Sequence, residues 1–98
     1  DWNGARLVGN PDRASQIAEV LKALAHPIRL RIVALLCGGE RSVTDLAGPL
    51  ACPQAVVSQQ LRILRMRQLV EVSRRNGFAI YRLADPRLRE MIRCMDSH

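Results

Sequence analysis

Two short runs of alternating apolar and polar residues are joined through Asn76-Gly77. The first run, 70–73, reads Val-Glu-Val-Ser, and the second, 78–83, reads Phe-Ala-Ile-Tyr-Arg-Leu. A period of two is typical of strands that are buried on one face, and Asn-Gly suits the left-handed backbone of a two-residue turn. The pattern therefore predicts a β-hairpin whose tip carries Arg74 and Arg75.

Helical periodicity dominates the rest of the chain. Asp12 is the predicted N-cap of the first helix, and His26-Pro27 separates the first helix from the second. Gly38-Gly39 ends the second helix, and Ser42 with Asp45 resembles a capping box for the third. The predicted helices span about 12–25, 27–37, 42–47 (before Gly48-Pro49) and 53–68, and a fifth begins after Asp85-Pro86.

Four helices, a hairpin and a final helix are the plan of a winged helix-turn-helix. The predicted fold class is thus mainly α, in the order α-α-α-α-β-β-α, forming a twofold dimer. Residues 1–11 contain glycine, asparagine and proline without periodicity, which indicates a flexible N-terminal arm. Residues 12–98 are predicted to form one domain for DNA binding and dimerisation.

The chain carries a formal net charge of +6 in 98 residues, and Lys22 is its only lysine among fifteen basic residues. This surplus favours an anionic partner, with nucleic acid before a membrane surface, although base composition of a genome also favours arginine over lysine. No run approaches the roughly 20 apolar residues of a membrane span, and residues 1–16 lack a signal peptide. Three cysteines, an odd number, indicate free thiols. We therefore expect a soluble, cytoplasmic protein without a membrane partner.

The fourth helix is the predicted reading element, because the N-terminal residues of such a helix reach base edges in the major groove. Its inner stripe is Val57, Leu61 and Leu64. The predicted DNA-binding residues of the helix are Gln54, Ala55, Ser58, Gln59, Arg62 and Arg65. Arg74 and Arg75 at the hairpin tip are predicted to contact phosphates or the minor groove. The alternatives are a solvated helix face and an edge hairpin protected by charge.

The final helix has an apolar stripe with no later element to cover it. The stripe consists of Leu88, Met91, Ile92 and Met95. It either folds back on its own core or pairs with a symmetry mate, and a twofold dimer also presents two reading helices to successive grooves. We expect a homodimer.

Catalysis is disfavoured. His26 precedes a proline and has no triad signature nearby, so it is predicted to cap a helix. Asp85 is explained by N-capping and Glu90 by a solvated helix face. Gly38-Gly39 follows a helix and lacks the spacing of a phosphate loop. We therefore predict a protein that is not an enzyme and has no cofactor and no metal site.

Several separated segments resemble the ArsR/SmtB family of bacterial repressors. They are 21–33, Ser42-Val-Thr-Asp-Leu46, Val57-Ser-Gln-Gln-Leu61-Arg-Ile-Leu64 and Ile80-Tyr-Arg-Leu83, and the resemblance covers about residues 14–95. It implies a homodimer that binds an operator with the fourth helix and the wing, and leaves when a signal arrives. Many relatives have histidine where this chain has Gln60, which we interpret as a variant on the helix surface.

The resemblance also restricts which signals can release the protein from DNA. Ser42-Val43-Thr44 stands where arsenic and cadmium sensors have Cys-Val-Cys. Asp85 matches a zinc ligand of the last helix, but Arg87 replaces the expected histidine, and the chain ends at His98. A thiol-switch branch of the family pairs a cysteine of the second helix with one of the last helix. Cys37 and Cys94 occupy those elements, displaced by about a turn in opposite directions.

The leading interpretation is a repressor whose DNA affinity is lowered by thiol chemistry at Cys37 and Cys94, through an oxidant or a persulfide. The alternative for each cysteine is a small buried side chain, and Cys52 is expected to pack or to cap the reading helix. A repressor that responds to a metal or metalloid through cysteine ligands is the first rival. A protein-interaction module that does not bind DNA is the second rival.

Overall fold

The computed structural model describes residues 5–97, and the side chains of residues 6–97. Six helices and three strands follow one another in this range. The helices are α1 (Ala5–Val8), α2 (Pro11–Leu24), α3 (Pro27–Leu36), α4 (Val43–Leu50), α5 (Gln54–Met66) and α6 (Arg87–Asp96). The strands are β1 (Arg41–Ser42), β2 (Val70–Arg75) and β3 (Phe78–Leu83). Across residues 5–97, every helix is too short or too polar to cross a bilayer.

Local capping signals place the starts of α3 and α4 where the sequence predicts them. His26 Nδ1 accepts a hydrogen bond from the Ile28 backbone N–H at 3.1 Å, so the prediction that His26 caps a helix is confirmed. At α4, Ser42 Oγ accepts from the Asp45 N–H at 3.2 Å, and the Asp45 carboxylate accepts from the Ser42 N–H at 3.3 Å. This reciprocal pair is the predicted capping box.

The N-cap of α2 differs from the prediction. Asn10, and not Asp12, accepts the capping hydrogen bond, from the Arg13 N–H at 3.1 Å. Pro11 occupies the first helical position, where its missing N–H has no partner to lose, so the helix extends back to it. Within the predicted arm, residues 5–8 form the single turn α1, whereas residues 1–4 lie outside the described residues. The division between arm and domain stays a prediction.

The predicted end of α4 before Gly48-Pro49 is wrong. The helix continues through both residues to Leu50, and Ala51 then takes a left-handed φ of 54°. A proline inside a helix removes a backbone hydrogen bond. Leu50 is buried in the core, and burial of a leucine stabilises by about 2 kcal/mol, which offsets much of that loss. The fourth predicted helix, now α5, ends at Met66, two residues earlier than expected, because Gln68 turns the chain with a φ of 61°.

The hairpin is confirmed, and a third strand joins it. β2 and β3 pair in antiparallel register from Val70 opposite Leu83 to Arg75 opposite Phe78. Asn76 and Gly77 connect them with φ values of 51° and 82°, as a two-residue turn of this kind requires. Strand β1, which was not predicted from the sequence, adds to the far side of β3 and gives the sheet order β1-β3-β2.

The core lies between α3, α4, α5 and the inner face of the sheet. Its fully buried side chains are Ile32, Val33, Leu36, Leu46, Val57, Leu61 and Leu64. Leu88 and Ile92 of α6 and Leu69 and Val70 after α5 close it. Three of these residues, at 57, 61 and 64, are the predicted inner stripe of the reading helix, so the core fixes which face of α5 is turned outwards.

Part of the apolar surface on α2 and α6 is left uncovered. Leu21 of α2 is 48% exposed, and so is Met95, which belongs to the apolar stripe of the last helix. Ile17, Val20 and Met91 are half-buried and line an open groove of about 390 Å³ between α2, the segment after α5 and α6.

Candidate nucleic-acid interface

The helix-turn-helix consists of α4 and α5, which are joined by three residues. The left-handed Ala51 turns the chain, and Cys52 follows it with its thiol 3.5 Å from the Leu50 carbonyl oxygen. Gln54 Nε2 then donates to Thr44 Oγ1 at 3.5 Å, which ties the start of α5 to α4. The tight turn holds α5 across α4 with its N-terminal end at the surface.

The outer face of α5 is polar and basic. All six predicted DNA-binding residues of this helix are exposed: Gln54, Ala55, Ser58, Gln59, Arg62 and Arg65. Amide and hydroxyl groups occupy its first two turns, whereas the guanidinium groups follow towards its C-terminal end. Amides and hydroxyls are the groups that hydrogen-bond base edges, and guanidinium groups suit phosphates and guanine.

The interpretation of Gln60 as a surface variant is wrong. Gln60 is only 8% exposed and lies on the core side of α5, beside Leu61. Its Oε1 accepts a hydrogen bond from Arg29 Nη1 of α3 at 3.2 Å. A buried amide needs such a partner, because an unpaired one loses its hydrogen bonds to water without replacement. Helix periodicity alone contained the signal, since residue 60 falls at the spacing of the inner stripe.

The two wing arginines point to opposite faces of the hairpin, as neighbours on a strand do. Both are exposed. Arg75 Nη1 makes an ion pair with Glu40 Oε2 at 2.7 Å, whereas none of the ion pairs found within residues 5–97 involves Arg74. Phe78, the cross-strand partner of Arg75, is 64% exposed. Sequence reasoning missed Glu40, because it lies outside the hairpin and nothing in its neighbourhood indicates a contact with residue 75.

The base of the wing is held by polar contacts on its outer face. Arg82 donates to Glu71 Oε2 at 2.8 Å and to Ser73 Oγ at 3.4 Å across the two strands. Cross-strand pairs of opposite charge each stabilise a sheet by a few tenths to about 1 kcal/mol. The contacts align β2 with β3, and therefore support the position of the arginine tip.

The proposed sensing thiols lie on helices that touch each other. Cys37 is half-buried at the end of α3, and its carbonyl oxygen accepts from Arg89 Nε of α6 at 3.1 Å. Burial raises the pKa of the Cys37 thiol, and the positive charges of Arg89 and Arg93 oppose that increase. Cys94 is exposed. Cys94 lies about 200° around the α6 axis from the buried Ile92. Along the axis it lies five residues, or about 7.5 Å, beyond Arg89.

The start of α6 carries a local ion pair. Arg87 donates to both oxygens of Asp85, with a shortest distance of 2.6 Å, and its backbone N–H also donates to Asp85 Oδ1 at 2.9 Å. These hydrogen bonds lower the pKa of Asp85. The prediction of Asp85 as the N-cap is wrong, because Pro86 is the N-cap of α6 and, among backbone groups, Asp85 accepts only from the Arg87 N–H that follows it. The Asp85 carboxylate, which matches a zinc ligand in the resemblance, is thus paired with Arg87. Within residues 5–97 no three His, Cys, Asp or Glu side chains are grouped as metal ligands.

A two-helix reading unit followed by a basic antiparallel hairpin defines a winged helix-turn-helix protein. The sequence profile of the family described as bacterial regulatory protein, arsR family, matches residues 26–72. The "Transcriptional repressor SmtB homolog" of Synechocystis is 40% identical over 87 residues, which are 89% of this chain and 66% of that protein. The chain thus spans about two thirds of the length of that relative.

Solved structures agree with the sequence match. The transcriptional repressor BigR from Xylella fastidiosa superposes with a TM-score of 0.83 and 34% identity, over 89% of each chain. The homodimeric winged helix-turn-helix DNA-binding domain Mb0332 from Mycobacterium bovis superposes with a TM-score of 0.76 and 28% identity, over 99% of this chain and 85% of that one. The chain belongs to the ArsR family of bacterial regulatory proteins. The predicted winged helix-turn-helix fold and the family are confirmed, and so is the prediction of a regulator that is not an enzyme.

Proposed function

We propose that this protein is a dimeric transcriptional repressor that holds operator DNA with α5 and the wing. The observation that carries the proposal is the outer face of α5, where all six predicted contact residues are exposed above a wholly buried aliphatic stripe. The wing follows α5 directly and adds Arg74 and Arg75. The net charge of +6 supplies the long-range attraction to phosphate. Bacterial operator DNA lies in the cytoplasm, and so does the protein in this proposal.

The uncovered faces of α2 and α6 support the dimer. Leu21 and Met95 belong to these faces, and the groove between the helices is lined by Ile17, Val20 and Met91. A second copy that covers this surface removes apolar area from water at about 25 cal/mol per Å². A twofold pair also places two copies of α5 on successive major grooves, as an operator with two half-sites requires.

The proposed function is tested by selecting duplexes from a random pool with the purified protein and measuring affinity by gel shift. We expect a selected duplex with two related half-sites about one helical turn apart, bound by two chains. The logarithm of the association constant should fall linearly with the logarithm of salt concentration, because phosphate contacts release counterions. Failure to bind any duplex in dilute buffer would contradict the proposal and favour a module that binds protein.

We further propose that thiol chemistry at Cys37 and Cys94 releases the operator. An organic disulfide of class RSSR oxidises the two thiols to one cystine and leaves as two RSH, so that atoms and electrons balance. A bridge needs Cα atoms within about 7 Å. Cys94 points away from the core face of α6, so a bridge to Cys37 requires α6 to rotate. Rotation of α6 alters the apolar surface offered to the second copy, and with it the spacing of the two reading helices.

Intact mass after separate exposure to a disulfide, a persulfide donor and arsenite tests the thiol proposal. The expected result is the loss of about 2 Da, as two hydrogens, or the gain of sulfur, in parallel with weaker operator binding. A variant with Cys37→Ser and Cys94→Ser should keep its operator affinity after each treatment. The Cys52→Ser variant should lose operator affinity as the wild type does. If arsenite alone forms an adduct and weakens operator binding, the protein responds to a metalloid. Unchanged mass and affinity in all three would reject cysteine sensing.

A further inference from the structure

The break between α2 and α3 leaves a carbonyl without its usual partner. In a continuous helix the Ala23 carbonyl accepts from the N–H of the residue four positions later, but that residue is Pro27, which has none. Arg29 replaces this donor: its Nε lies 2.6 Å from the Ala23 oxygen. The side chain of Arg29 thus caps the last turn of α2.

The same guanidinium group reaches α5. Arg29 Nη1 donates to Gln60 Oε1 at 3.2 Å, across 31 residues of sequence. Gln60 is the only buried polar residue among residues 6–97, and it interrupts a stripe that is otherwise aliphatic. One side chain therefore connects the end of α2, the start of α3 and the core side of the reading helix.

We infer that Arg29 and Gln60 are positioning residues that set the rotation of α5 about its axis, and so aim Ser58 and Gln59 at the bases. The inference rests on the proposed function. Aliphatic contacts are not directional, so Val57 and Leu61 fill the core with little preference for small rotations of the helix. A hydrogen bond to a charged donor is directional and fixes an angle. Gln60 follows Gln59 in the chain and lies about 100° from it around α5, so a rotation fixed at residue 60 also fixes the direction of residue 59.

The link also gives α5 a fixed reference in α2. The outer side of α2 carries Leu21, part of the surface proposed for the second copy. Arg29 connects the end of that helix to α5 by two hydrogen bonds in series. The angle between the proposed dimer surface and the outer face of α5 is therefore set by the two hydrogen bonds of Arg29 as well as by packing.

The test compares affinity for the selected operator with affinity for a random duplex. Gln60→Leu keeps the volume of the core and removes the acceptor. We expect operator affinity to fall by about tenfold, as when one base contact is lost, while random-duplex affinity changes by less than about twofold. Arg29→Met should reduce the operator-to-random ratio similarly. The double variant should be no worse than either single one, because both changes remove the same constraint.

Gln60→Glu is the matched control. Its carboxylate accepts from Arg29 as the amide does, so the operator-to-random ratio should stay near that of the wild type, even if the added negative charge weakens both affinities. Thermal unfolding of each variant, measured alongside, gives the fraction folded.

A purely structural role predicts a different result. In that case Gln60→Leu lowers the melting temperature but leaves the operator-to-random ratio of the folded protein unchanged, and this outcome would overturn the inference alone. Additive losses in the double variant would also overturn it. Absence of duplex binding by the wild type would overturn the proposed function and this inference together.

Discussion

Arg75 Nη1 lies 2.7 Å from Glu40 Oε2, so one of the two wing arginines is paired with a carboxylate in the unbound protein. Both side chains are partly exposed, and exposed pairs of this kind stabilise by at most about 1 kcal/mol. The pair therefore matters less for folding than for the charge that the wing offers to DNA.

Replacing Glu40 tests whether the ion pair reduces the charge that the wing offers to DNA. In Glu40→Gln the Arg75 guanidinium is released from its carboxylate, so we expect tighter binding to random duplex and a salt slope steeper by up to about 0.9, one extra phosphate contact. The free energy of unfolding should change by less than about 1 kcal/mol. Gel shifts at several salt concentrations check the slope. Weaker binding in Glu40→Gln would show instead that Glu40 holds Arg75 in the productive position.

Removing both wing arginines should weaken binding without regard to sequence. For Arg74→Ala with Arg75→Ala we expect similar losses on operator and random duplex, since phosphate contacts carry no base information. The salt slope should become shallower by about 0.9, the contact of Arg74, because Arg75 is paired with Glu40 in the wild type. A variant with Lys22→Ala and Arg67→Ala removes the same net charge from residues that pair with Glu19, away from the wing. It should lose less affinity. A loss confined to the operator would mean that the wing reads bases.

The capping box at α4 predicts a change in stability with little change in specificity. Ser42→Ala removes the side-chain acceptor that lies 3.2 Å from the Asp45 N–H. We expect the free energy of unfolding to fall by about 1 kcal/mol, the typical value for an N-cap. Ser42→Thr keeps a capping hydroxyl and should stay close to the wild type in chemical denaturation. Equal losses in both variants would place the effect of residue 42 in strand β1 and not in the cap.

Elements with local signals were predictable from the sequence. His26-Pro27, Ser42 with Asp45, and Asn76-Gly77 each contain both partners of the contact that fixes the backbone, within four residues. The exposed face of α5 followed from periodicity in the same way. These features need no knowledge of distant parts of the chain.

The contacts that escaped prediction join residues far apart in sequence. β1 has only two residues, too few to show a period, and exists because Arg41 and Ser42 pair with Tyr81 and Ile80. Gln60 is stable in the core only because Arg29 meets it there. Helix α4 continues through Pro49 because this path buries Leu50 in the core. In each case tertiary packing overrides the local preference.

The raised pKa of Cys37 gives a prediction about the order of thiol reactions. Thiolates are the nucleophiles, so at a given pH a thiol with a raised pKa has a smaller reactive fraction. We expect iodoacetamide to label exposed Cys94 before Cys37 in the native protein, as followed by mass spectrometry of peptides. The Cys37 rate should increase as the pH rises towards its pKa. Labelling of Cys37 first would contradict the assigned burial.

The arginines of α6 oppose this increase in pKa, so their removal has a defined sign. In Arg89→Met with Arg93→Met the positive charges beside Cys37 are lost, and the midpoint of its pH–rate profile should move to higher pH. Arg87→Met is the matched control, because Arg87 binds Asp85 and is not among the charges that act on Cys37. Circular dichroism confirms that each variant is folded. An unmoved midpoint in the folded double variant would show that solvent screens both guanidinium groups from the thiol, leaving burial as the sole control of its reactivity.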